Sequence, residues 1–154
     1  MKSLYRILTA VIAALGVAAC GPAAAEPQPP DIIYGQDVCE ECGMLISEAR
    51  YAAATLIENG EPRKFESIAD MVTYHMDHPD QPVKAWFVHD YHTESWIRAE
   101  TAFYVLSEAI RAPMPPGLAA FESRPAAETF ASSAGGTVLS FDEMRTQVHI
   151  VVHG

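Results

Sequence analysis

An α+β fold made of two similar ββαβ units is the architecture this sequence predicts, and three observations predict it. The triplet Phe65-Glu66-Ser67 recurs as Phe121-Glu122-Ser123. Each triplet opens a helix-like stretch. The strand-like segments around the two stretches fall in the same order, strand, strand, helix, strand. The halves span about 45–90 and 95–146.

In the first half, Tyr51 to Ile57 reads as a strand. The turn signal Asn59-Gly60 follows, then a second strand at Pro62 to Phe65. Ser67 is a natural N-cap. Behind it Ile68, Met71, Val72 and His75 share one helical face by i, i+3, i+4, i+7 spacing. Lys84 to His89 (KAWFVH) reads as the closing strand. In the second half, Thr101 to Leu106 and Leu118 to Phe121 are strands. Ser123 caps a helix that carries Pro125 early, where a helix tolerates it. Gly135-Gly136 breaks the chain before a strand at Thr137 to Phe141. Ser140 or Asp142 caps a last helix over Asp142 to Thr146. His149 and His153 beyond it either share a helical face at i, i+4 or sit in a flexible tail.

Ahead of these units lies a leader. Lys2 and Arg6 precede an apolar run from Leu8 to Ala19, too short for the roughly 20 residues a membrane-spanning helix needs. The pattern is that of a secretory signal, residues 1–19. Val17-Ala18-Ala19-Cys20 resembles a bacterial lipobox, which makes Cys20 the lipidated first residue of the mature chain. Cleavage after Ala19 or within Ala23-Ala24-Ala25 without lipid is the plainer alternative. Residues 20–30 then form a Pro/Ala-rich tether with polyproline II character (GPAAAEPQPP after Cys20), and 31–154 the folded domain. Gly21 is not the Asp that commonly marks inner-membrane retention, which favours the outer membrane.

The chain has 10 basic and 20 acidic side chains, a formal charge of −10. Loss of Lys2 and Arg6 with the signal leaves 8 basic against 20 acidic groups, a formal charge of −12. Such a surface repels nucleic acid and anionic lipid, and suits cations or basic protein surfaces. Solubility alone also accounts for it. With 49% hydrophobic and 19% charged residues the chain can bury a core.

Cys39-Glu40-Glu41-Cys42-Gly43-Met44 concentrates the chemistry, with three sulfur side chains in six residues. Thiolate and thioether are soft ligands that favour Cu(I). Gly43 permits the tight turn that lets Cys42 and Met44 face one ion. A structural Cys39–Cys42 disulfide is a rival in an oxidising compartment. So is a thioredoxin-like redox pair, although no strand leads into it and Gly43 interrupts. Structural zinc wants four Cys/His ligands, and Met44 argues against it. Glu40 and Glu41 are the only carboxylates that sequence proximity pairs with the cysteines, and adjacent residues point apart in an extended chain. That argues against a lyase acting on organometallic substrates. Met114, in the Pro-rich loop Ala112-Pro113-Met114-Pro115-Pro116-Gly117, follows no apolar periodicity and is a further soft ligand or a contact point. The histidines fall in the pairs His75/His78, His89/His92 and His149/His153. His75 reads as a core or boundary residue, and His78 suits the carbonyl end of its helix.

These features together resemble the NosL family. Cys-x-x-Cys-Gly-Met is followed by Phe65 and its helix, Val88-His89-Asp90-Tyr91 with Trp96, Pro113-Met114, Ala120-Phe121, Gly135-Gly136 and Phe141-Asp142. The resemblance runs from about Asp31 to Met144. It implies two ββαβ units related to the organomercurial lyase MerB. It further implies a non-enzymatic lipoprotein chaperone that binds Cu(I) in the periplasm and delivers it for assembly of nitrous oxide reductase, with the NosDFY machinery. Carried over by motif, Cys42 and Met44 are the implied ligands, with Cys39, Met114 or a histidine as the third. A site on a short segment could also be shared between two chains in a homodimer.

Overall fold

The computed structural model describes residues 25–154. The signal segment, the lipobox and Cys20 with the first part of the tether lie outside the described residues.

Seven strands form two antiparallel sheets. β1 (Ala53–Ile57), β2 (Pro62–Phe65), β3 (Val83–His89) and β4 (Trp96–Arg98) make the first, in the order β2-β1-β3-β4. β5 (Phe103–Leu106), β6 (Leu118–Phe121) and β7 (Thr137–Leu139) make the second, in the order β6-β5-β7. Helix α1 (Ile68–Asp77) crosses from β2 to β3, α2 (Arg124–Ala134) from β6 to β7, and α3 (Phe141–His153) closes the chain. Within each unit the first strand lies between the second and third, so the two halves share one topology.

The repeated triplet works alike in both places. Phe65 pairs with Ala53 and Phe121 with Phe103, and both phenyl rings are fully buried. Ser67 and Ser123 then cap their helices by accepting the backbone N–H of Asp70 and Ala126. The strands of the second sheet show why period two matters. Tyr104, Leu118, Ala120 and Leu139 face a core shared with α1, α3 and the first sheet. Val105, Ala119 and Phe121 face the opposite way, onto Ala127 and Ala131 of α2. One core thus runs through both halves.

Asp90 fastens them together. Its peptide forms a parallel bridge to Ala120, and the Tyr91 N–H donates to the Ala120 carbonyl. Its carboxylate accepts the N–H groups of His92, Thr93 and Glu122 and the Thr93 hydroxyl at 2.9–3.1 Å. Burial pushes this carboxyl up, but the donors outweigh it and hold it below the ordinary carboxylate range. A depressed folded value stabilises the fold above the unfolded value and is lost as pH falls through it. Asp90→Asn should therefore lower stability at neutral pH and flatten its decline below about pH 4. Urea unfolding at neutral and acid pH checks this; parallel pH curves for both proteins would refute it.

Gly135-Gly136 divides two tasks. Gly135 ends α2 in the left-handed region at φ 64°. Gly136 admits β5, since a Cβ there would meet Val105 Cγ1 at 2.7 Å and the Leu106 carbonyl oxygen at 2.8 Å. Gly136→Ala should cost about 1–3 kcal/mol by overpacking, read as a lower thermal midpoint. An unchanged midpoint would mean that β7 is free to move away.

Four expectations need correction. The first strand starts at Ala53, because Tyr51 sits in a turn and packs on Tyr91. The strand before the last helix stops at Leu139, because Ser140 and Glu143 form a capping box that starts α3 at Phe141. That helix runs well past Thr146 to His153, because Val148 extends the buried face begun by Met144. The residues from Thr101 open with a 3₁₀ turn (Ala99–Thr101) and the strand begins at Phe103. The short edge strand β4 had no expectation; three residues are too few for an alternation signal.

Candidate metal-binding site

The segment from Ile33 to Ile46 folds as a small hairpin-like loop at the corner between β2 and α1. Val38 bridges Leu45 in antiparallel fashion, and the Cys39 N–H donates to the Met44 carbonyl at 2.8 Å. Glu40 to Gly43 make the turn, with Gly43 at φ 71° and its N–H on the Cys39 carbonyl. A residue with a Cβ is strained there. Three ties hold the loop to the sheet. The Glu40 N–H donates to the Lys64 carbonyl, Lys64 Nζ lies 2.8 Å from Asp37, and buried Glu66 accepts both the N–H and hydroxyl of Ser47 at 2.8 Å.

This loop sets the two cysteines over the first turn of α1. Cys39, Cys42 and Asp70 place their ligand atoms within 4.8 Å of one another. Both thiols are free. Cys39 is buried and its sulfur accepts the Cys42 N–H at 3.5 Å. Cys42 is half-buried; burial pushes its thiol up to about 12, against the opposing Met44 N–H, with Cys39 and Asp70 adding to the rise. The Asp70 carboxyl is also raised by burial, although hydrogen bonds from Ser67 and the Cys42 thiol pull the other way. A neutral thiol thus stands beside a buried carboxyl group that accepts its hydrogen bond.

Of the residues the sequence singled out, Cys39 and Cys42 are together. Met114 lines a cleft of about 190 Å³ with Cys42, Asp70, Glu41 and Thr73, so the Pro-rich loop reaches the same place from the second half. Met44 lies across the hairpin from Cys39, with 42% of its surface exposed. Asp70 was missed: three residues after Ser67 it reads only as a helix-capping acid, and nothing in the sequence shows that it is buried, 3% exposed, beside the cysteines. The extended-chain reading of Glu40 and Glu41 is corrected as well. They sit in a turn, and Glu41 faces the Cys42 cleft, its carboxyl raised by burial. Carboxyl groups do stand beside the cysteines, so the argument from their absence does not hold against lyase chemistry.

The histidines are engaged elsewhere. Nδ1 of His89 contacts the Ala52 carbonyl and its Nε2 the Tyr34 hydroxyl, and the ring packs tilted against Trp96 with centroids 3.7 Å apart. His75 Nε2 meets the Thr55 hydroxyl at 2.8 Å, and burial lowers this imidazole to about 4. His78 turns Nδ1 onto the Tyr74 carbonyl, at the helix end expected for it. His92 packs on Phe121 and Phe130. Among the described residues, no histidine joins the Cys39–Cys42–Asp70 group.

Comparison with known proteins shows the family of the chain. The NosL family model matches residues 30–149, which includes every residue of the cluster. The chain belongs to the NosL family. A curated NosL relative, the copper-binding lipoprotein NosL of Stutzerimonas stutzeri, is 30% identical over 94% of this chain and 84% of its own length. The fold is also that of the copper chaperone NosL crystal structure from Shewanella denitrificans, with a TM-score of 0.66 over 77% of this chain and 96% of that one, at 24% identity. Both relatives are named for binding or carrying copper, and neither name is that of an enzyme.

Proposed function

We propose that this NosL protein is a Cu(I) carrier of the periplasmic face of the cell envelope, anchored through a lipid on Cys20. It loads copper at Cys39 and Cys42 and hands it on for assembly of nitrous oxide reductase, alongside NosDFY. The observation that carries the reading is the pair of free thiols set beside the buried Asp70 carboxylate.

The donor set suits a soft ion. Two sulfurs supply the strong bonds, and the thioethers of Met114 and Met44 are the further soft donors within the loop and cleft. Carboxylate oxygen is a hard ligand, so Asp70 supports the site through its hydrogen bond with the Cys42 thiol and not as a copper ligand. Cu(I) binds thiolate, and a thiol raised to about 12 must lose its proton as the ion arrives. Asp70 accepts a hydrogen bond from the Cys42 thiol and so orients it toward the cleft. Release reverses the exchange as an acceptor thiol or imidazole replaces Cys42, the more accessible sulfur. The exposed apolar residues Val38, Met44 and Leu45 rim the loop and form the surface on which an acceptor or a second copy of the chain seats.

Anaerobic titration with Cu(I) against a competing chelator tests the reading. One equivalent should bind tightly. Asp70→Asn should weaken binding by roughly 10–100-fold, the usual cost of losing a group that supports a ligand. Unchanged affinity would make Asp70 a helix cap only. Absence of stoichiometric binding would remove the carrier reading and favour a thiol enzyme or a disulfide-bridged structural lipoprotein. The step to nitrous oxide reductase is tested separately, by copper transfer to the purified apo-reductase with and without this chain.

A further inference from the structure

The histidines at the end of α3 play no part in the cysteine cluster. His149 and His153 stand one helical turn apart on the same face, with ring centroids 5.3 Å apart. The i, i+4 spacing is the one by which a helix presents two imidazoles to a single metal ion. α3 packs along α1, and this brings His153 Nε2 to 3.8 Å from Asp77 Oδ1, at the last residue of α1. Both groups reach solvent, with side-chain exposures of 37% and 51%. His149 lines a hollow of about 310 Å³ with Met76 and Asp142. Arg145 shares that hollow, but its guanidinium carbon lies 5.6 Å from the Trp86 and Phe141 ring centroids, over their faces. Two imidazoles one turn apart, and a carboxylate beside one of them, therefore stand where two helices end, outside any role the copper carrier requires.

We propose that His149, His153 and Asp77 form a second metal site, for a borderline divalent cation. Imidazole and carboxylate donors suit Cu(II) and Zn(II), with Cu(II) bound more tightly, and they do not favour Cu(I). A metal ion binds imidazole through the lone pair of a ring nitrogen, in the neutral form of the ring. Asp77 lies two turns beyond Asp70 on α1, about 10 Å along the helix axis. The second site is thus a neighbour of the sulfur site with a different donor chemistry, and it stands whether or not the carrier reading holds. Filling it ties the end of α3 to the end of α1.

The test uses the full chain in detergent with Cys39 and Cys42 replaced by serine, so that no thiol reduces or competes for the ion. Cu(II) is titrated against glycine and the complex is examined by electron paramagnetic resonance. One equivalent should bind with a spectrum showing two nitrogen ligands. His149→Ala and His153→Ala should each weaken binding by about tenfold or more, the loss of one donor of three. Asp77→Asn should weaken it less and leave both nitrogens in place. Where the serine background fails to fold, histidine side-chain NMR of the unmodified chain with Zn(II) reads the site directly. The His149 and His153 resonances should then move together, saturating at one further equivalent. Affinity indifferent to the two alanine substitutions, or histidine resonances that do not respond, overturns the site.

Discussion

Cys42→Ser should abolish saturable Cu(I) binding, a larger loss than the roughly 10–100-fold expected for a supporting group such as Asp70. Cys42 is the sulfur that both lines the cleft and stands within 4.8 Å of Cys39 and Asp70. A hydroxyl in its place is a hard, neutral donor that does not ionise near neutral pH, and Cu(I) gains little from it. Cys39 alone is buried beneath the loop and offers one sulfur without a partner. Met114→Ala and Met44→Ala should each weaken binding by less, because a thioether is a neutral ligand that carries no proton to exchange. The two methionines also separate by position. Met114 reaches the cleft from the second half, whereas Met44 is 42% exposed on the rim. Met44→Ala should therefore slow transfer to an acceptor more than it lowers equilibrium affinity. Competition titrations and stopped-flow transfer measured on the same three variants check the order. Binding by Cys42→Ser that matched the unmodified chain would move the ion to other residues altogether.

The parts legible in the sequence are those set by short-range rules. Ser67 and Ser123 announced two helix starts, and β2 and β6 lie on the residues expected of them, because each is bounded by a turn or a cap. The parts that were not legible depend on where distant segments meet. Asp70 looks like a helix cap until the Cys39–Met44 hairpin is folded over it, and the Cys hairpin itself has no periodicity. Its shape comes from Gly43, Lys64 and Glu66, three residues spread over two elements. The Val88-His89-Asp90-Tyr91 signature reads as chemistry in one dimension. In three it is a joint, with His89 wedged between Tyr34 and Trp96 and Asp90 holding the two halves together. The end of α3 fell short for the same reason, since Val148 becomes a core residue only when α3 lies on α1.

Phe65→Ala should cost about 3–5 kcal/mol, the range for truncating a buried aromatic, and it should impair copper binding as well. The ring is fully buried, with the Tyr74 and His75 rings 5.3 and 6.0 Å away on α1. Removing it opens a cavity between the first sheet and the helix that carries Asp70. A domain has only about 5–15 kcal/mol of net stability, so a large share of it rests on this one side chain. Phe121→Ala provides the control that the internal repeat supplies. Phe121 is equally buried and holds the equivalent corner of the second half, but its neighbours are Tyr91, His92 and Phe130. The middle glutamate does different work in the two triplets. Glu66 is buried and pins Ser47 behind the cysteine loop, whereas Glu122 is exposed and offers only its backbone N–H to Asp90. Both substitutions should lower the urea midpoint by similar amounts. Only Phe65→Ala should weaken Cu(I) binding under conditions where each variant is still folded, because only that corner supports the cysteines. Equal losses of copper affinity in the two variants would mean that the site depends on overall stability and not on the β2–α1 corner.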